Sequence, residues 1–76
     1  METLLTHAKQ NNCKLYITVK QPGQSDKNFI YTAQQYNKMI KRYCTFYNAI
    51  ITCKSYNDYE HNITLNNGIK FNAILY

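Results

Sequence analysis

The side chains able to do covalent or proton-transfer chemistry are few: the carboxylates Glu2, Asp26, Asp58 and Glu60, the imidazoles of His7 and His61, and the thiols of Cys13, Cys44 and Cys53. General acid–base catalysis needs two such groups converging on one reacting bond. Asp58, Glu60 and His61 are the closest set, offering an acid, a base and a ligand. They fall in a polar turn ahead of a predicted hairpin, with no partner motif elsewhere, and read more simply as a solvated turn. A cysteine nucleophile paired with His7 or His61 would need spatial proximity that no spacing implies. Zinc ligation fails on spacing, because Cys44 and Cys53 stand nine apart and neither histidine forms a short pair with them. The glycines, at Pro22-Gly23 and Asn67-Gly68, do not form a phosphate-cradling loop that leads into a helix. The residues therefore predict a protein that is not an enzyme and that carries no metal or cofactor.

Charge points instead to recognition. Eight lysines and one arginine against four carboxylates give a formal net charge of +5. The cations are spread along the chain except for Lys38, Lys41 and Arg42, which share one side of a predicted helix. Such a cluster is ordinary as a solvated helix face, and as a contact it would meet a polyanion or an acidic patch.

The element that carries this cluster is the clearest in the sequence. Thr32 and Gln35 have the spacing of a capping box, in which each side chain satisfies the other's free backbone N–H. Behind the cap, Tyr36, Met39, Ile40, Tyr43 and Tyr47 recur every three or four residues as an apolar stripe, with Cys44 at its margin. Upstream, Cys13 to Lys20 alternates, with Leu15, Ile17 and Val19 on one side and Tyr16, Thr18 and Lys20 on the other. Gln21 to Lys27 reads as a loop, Asn28 to Tyr31 as a returning strand, and Ala49 to Tyr56 as a third strand of weak alternation. Thr3 is the predicted cap of a short helix through Lys9 that turns Leu4, Leu5 and Ala8 inward.

The last hairpin offers two registers around Asn66-Asn67-Gly68. A two-residue loop would mix apolar and polar side chains on one face. A three-residue loop, with Gly68 at the positive φ of a G1 bulge, pairs Leu65 with Ile69, Ile63 with Phe71 and His61 with Ala73, and sorts the faces cleanly. The predicted fold is α+β: a small antiparallel sheet of four to five strands in a single domain over 1–76, with one main helix packed on one face and a short N-terminal helix. Leu15, Ile17, Val19, Ile51, Ile63, Leu65, Ile69, Phe71 and Leu75 are the expected core beneath the tyrosine stripe.

A chain of 76 residues buries only roughly 60% of the surface its unfolded form exposes, so this core is thin. The three cysteines are an odd number without paired spacings and read as reduced core residues of a cytoplasmic protein. Met1 to Gln10 lacks the pattern of a signal peptide, and no apolar run is long enough to span a membrane. Asn62-Ile63-Thr64 matches a glycosylation acceptor by chance.

Alternation also predicts an outer sheet face bearing Tyr16, Thr18, Lys20, Ile50, Lys54, Tyr56, Lys70, Ile74 and Tyr76. Interleaved tyrosine and lysine suit a protein interface, a second copy of the chain included. They also suit a platform for single-stranded nucleic acid. A third reading has another element of the chain covering this face.

Expected partner-binding residues are thus Lys38, Lys41, Arg42, Tyr16, Lys20, Lys54 and Tyr56. The bias to lysine, asparagine, isoleucine and tyrosine suggests AT-rich coding sequence, as in many phages. The functional expectation is a small non-enzymatic binding protein, encoded by a phage or mobile element, that occupies a surface of a host protein or ribonucleoprotein complex in the host cytoplasm. An inhibitor of a defence nuclease is one example. The alternative is a basic accessory protein that binds nucleic acid.

Overall fold

The computed structural model describes residues 3–76, with side chains from Leu4 onward. The elements are α1 (Thr3–Gln10), β1 (Lys14–Lys20), β2 (Lys27–Thr32), α2 (Ala33–Tyr47), β3 (Ile51–Tyr56), β4 (Glu60–Leu65) and β5 (Lys70–Leu75). The fold is α+β, with one five-stranded antiparallel sheet in the order β2-β1-β5-β4-β3. The expected cap at Thr3 concerns a side chain outside the described residues.

Local chemistry sets the element ends. The Thr32 side chain accepts from the Gln35 N–H, and the Gln35 side chain accepts from the Thr32 N–H, completing the capping box. Both helices stop on a left-handed asparagine, Asn12 (φ 53°) and Asn48 (φ 51°). In each case the next N–H, of Cys13 or Ala49, donates to a carbonyl five residues back, Ala8 or Cys44, at 2.9 Å. This satisfies carbonyls that a helix end otherwise leaves bare.

The last hairpin adopts the three-residue loop. Ile63 pairs with Phe71 and His61 with Ala73, the Leu65 N–H donates to the Ile69 carbonyl at 2.9 Å, and Gly68 has φ +91°. Pro22 of the β1–β2 loop leans over this turn.

Leu15, Ile17, Val19, Ile63, Leu65 and Phe71 point to one face of the sheet, where Leu4, Leu5 and Ala8 of α1 and Ala33, Tyr36, Met39 and Ile40 of α2 are buried with them. Both helices therefore cover the same face. The reading in which another element covers the opposite face is corrected: the apolar side of α1 is spent on the core.

Four further expectations change. Ile51 and Leu75 are 42% and 43% exposed, because each lies at the end of a strand beyond the helices. Tyr47 is also exposed and Tyr43 only half-buried, its ring edge-on to Phe71 at 5.2 Å between centroids, so the stripe is buried at its first three positions and emerges at the helix end. Gln21 is buried instead of lying in a solvated loop, and its amide donates to the Tyr47 hydroxyl at 3.1 Å. The three thiols are free, but Cys53 is exposed and Cys13 and Cys44 only half-buried, so none is a full core residue.

The turn supports a stability test. A Cβ at Gly68 would lie 3.1 Å from Pro22 Cγ as well as requiring positive φ. Gly68→Val is expected to destabilise by about 1–3 kcal/mol, and Gly68→Asn by less, since asparagine tolerates left-handed backbone. Equal urea midpoints for the two variants would count against the bulged turn.

Candidate functional site

The seven expected contact residues separate onto three surfaces. Tyr16 and Lys20 lie on the open face of the sheet, while Lys38, Lys41 and Arg42 are exposed on α2. Lys54 and Tyr56 do not join Tyr16. A bulge between Ile51 and Cys53 adds Thr52 to β3, whose hydroxyl donates to the Thr64 carbonyl at 3.2 Å. One extra residue shifts the two-residue alternation by one, so Lys54 and Tyr56 pair with Ile63 and His61 on the helix side of the sheet. The Tyr56 ring stacks on His61 there, at 6.1 Å. β3 is an edge strand exposed at every residue.

On α2, three shallow depressions meet at Arg42. The largest, about 470 Å³, is lined by Lys38, Lys41, Arg42, Thr45 and Phe46. A smaller one, about 220 Å³, lies among Arg42, Tyr43, Phe46 and Tyr47. Phe46 is 80% exposed and stands edge-on to Tyr47 at 4.8 Å. The sequence reading passed over Phe46 because it falls outside the apolar stripe. The available signal was a large aromatic at the margin between the apolar stripe and the cations, three residues after Tyr43 and four after Arg42, and hence beside both.

The open face of the sheet is concave, with a depression of about 510 Å³. Its register sorts it into rows. Asn28, Thr18, Asn72, Asn62 and Ser55 are consecutive neighbours across all five strands. Thr18 Oγ1 donates to Asn28 Oδ1 at 3.1 Å, and Asn72 Nδ2 donates to Asn62 Oδ1 at 2.8 Å and Glu60 Oε2 at 2.7 Å. On one side of this row Ile30, Tyr16 and Ile74 are neighbours, and on the other Lys20 stands directly opposite Lys70. Sequence reading saw Tyr16 and Lys20 but not the asparagine row, whose members are far apart in the chain and meet only through register.

The candidate catalytic set is dispersed. Strand alternation turns Glu60 to the open face and His61 into the core, where Tyr36 Oη and His61 Nδ1 lie 3.0 Å apart. Asp58 remains in the exposed β3–β4 turn, in which Asn57 Oδ1 accepts from the Tyr59 and Glu60 N–H groups. Burial, helped by the nearby positive charge of Lys54, pushes the His61 pKa down to about 4, and burial pushes the Tyr36 hydroxyl up. Tyr36 and His61 are thus a structural pair joining α2 to β4. Among the described residues no group of three or more His, Cys, Asp or Glu side chains is placed to hold a metal ion, and no helix is long and apolar enough to cross a membrane.

No protein-family model, curated protein or solved structure matches this chain.

The imidazole sets a pH dependence. With a folded pKa near 4 against 6.5 for the ordinary group, the unfolded chain takes up the proton first as pH falls. Stability present above pH 6.5 is therefore lost between about 6.5 and 4. Lowering the pH from 7 to 5 is expected to reduce unfolding free energy by about 1–2 kcal/mol through this group. Urea melts at the two pH values should show the loss in the native chain and less of it in His61→Gln.

Proposed function

We propose that this chain is a non-enzymatic binding protein that engages an acidic surface of a larger macromolecular assembly through the exposed side of α2. The single observation that carries this reading is Phe46, four-fifths exposed, set against Arg42 and flanked by Lys38 and Lys41. Aromatic and arginine side chains dominate the energetic centres of protein interfaces, whereas a phenylalanine left largely in water gives up its burial energy. Surrounding cations would speed encounter with a negative patch and reject positive ones. Inhibition of a host defence complex by a phage or mobile-element product is one setting that fits such an occupancy mechanism.

Phe46→Ala and Arg42→Glu should leave the thermal midpoint within a few degrees of the native value, since both side chains are exposed. Each should weaken partner binding by about 2 kcal/mol or more, roughly thirtyfold. Affinity capture from nuclease-treated lysate, followed by titration of the recovered protein, measures this. A partner retained undiminished by both variants would assign its contact to another surface.

A further inference from the structure

We propose that the open, concave face of the sheet binds single-stranded nucleic acid, with Lys20 and Lys70 on the backbone phosphates, the asparagine–threonine row on sugar and base edges, and Tyr16 stacked on a base. This site is separate from the helix surface and does not depend on it.

The first ground is electrostatic. Lys20 and Lys70 are directly opposite residues on neighbouring strands. Like charges at that position destabilise a sheet. A phosphate between them would convert the repulsion into two charge-assisted hydrogen bonds. Asp26 also lines the depression, and Glu60 is held by Asn72 on the far side of the asparagine row from the lysines.

The second ground is the order of the rows. Successive rows on one face are two residues apart, about 7 Å along the strands. Along β1 the order is the Lys20 cation and the Thr18 hydroxyl within the depression, then Tyr16 with Ile30 and Ile74 beside it past the depression's lining, the order of phosphate, sugar and base in a nucleotide. The next strand, about 4.8 Å away, repeats the cation and the amide with Lys70 and Asn72 and carries Ile74 beside Tyr16, while Glu60 of β4 closes that row, so one base meets a ring and its neighbour an apolar side chain. Thr18, Asn62 and Asn72 are half-buried in the floor and held by the hydrogen bonds between them and their neighbours, which fixes their orientation. Each amide still has donor or acceptor capacity for a base edge. A duplex, with bases stacked inside and phosphates outside, cannot place a base on Tyr16. The face should therefore prefer single strands.

The test is titration of the full chain into labelled single-stranded RNA and DNA of mixed sequence and into the matching duplexes, at low and moderate salt. The native chain is expected to bind a single strand several-fold more tightly than duplex. Lys20→Gln with Lys70→Gln should weaken that binding at least tenfold and reduce the log–log salt slope by about 0.7, the value for one phosphate contact on a single strand. Tyr16→Ala should cost about tenfold. Lys38→Gln, Lys41→Gln and Arg42→Gln together should retain the preference for single strands, and so should Lys20→Arg with Lys70→Arg, which keeps both charges. Melting by circular dichroism serves as the folding control, and Lys70→Gln alone should not lower the midpoint because it relieves a repulsion. Absence of binding at low salt, equal or tighter duplex binding, or loss of binding with the helix variants but not with the sheet variants would each overturn the proposal. So would a protein ligand displaced by the sheet variants in a chain that binds no oligonucleotide.

Discussion

Burial of two helices against the same face of one sheet is the constraint from which the rest of the molecule follows. Leu4, Leu5 and Ala8 from α1 and Tyr36, Met39 and Ile40 from α2 meet Leu15, Ile17, Val19, Ile63 and Phe71 in one cluster. Strand side chains alternate with a period of two, so every residue that contributes to this cluster sends its neighbours to the other side. With both helices spent on one face, no described element of the chain covers the opposite one. The open face is therefore a consequence of how a short chain assembles a sufficient core.

The polar pair Tyr36–His61 shows how tightly that core is specified. Two hydrogen-bonding side chains are buried together at 3.0 Å, edge to face with 5.5 Å between ring centroids. An apolar substitute for one partner would leave the other buried without this bond, at a cost of about 1–3 kcal/mol. The pair therefore fixes the register of α2 over β4 more strictly than apolar contact does. It also withdraws the only imidazole in the sheet from solvent, and the groups that cluster on the exposed surfaces are amides, hydroxyls, aromatic rings and cations. These are recognition groups, and they are divided between two surfaces that do not share residues.

Asparagine illustrates how one composition feature serves several structural ends. Asn12 and Asn48 end the helices, Asn57, Asn66 and Asn67 bracket turns by accepting backbone N–H groups, and Asn28, Asn62 and Asn72 line the open face. The helix ends and the turns closed by Asn57 and Asn67 follow from local chemistry, since a short amide side chain tolerates left-handed backbone and closes Asx turns, whereas Asn66 accepts from the distant Ile50 N–H. The third use has no local signature. Phe46 is the converse case, a residue whose position between the apolar stripe and the cations was visible from spacing, while its exposure beside Arg42 depended on where the helix came to rest.

By itself the sequence determined the elements and most of their ends: the capping box at Thr32 and Gln35, the inward faces of β1, β4 and β5, the bulged turn at Gly68, and the α+β class. These rest on interactions within a few residues of each other, or on periodicity read along one segment. Tertiary structure alone decided the rest. The extra residue at Thr52 moved Lys54 and Tyr56 to the helix side, because a bulge is a relation between two strands and leaves no mark in one of them. Strand order brought Asn28, Thr18, Asn72 and Asn62 into one row and set Lys20 against Lys70, contacts between residues up to 54 positions apart. The docking of α1 beside α2 decided which sheet face stayed open, because its apolar side fits either face by pattern and only packing in three dimensions selects one.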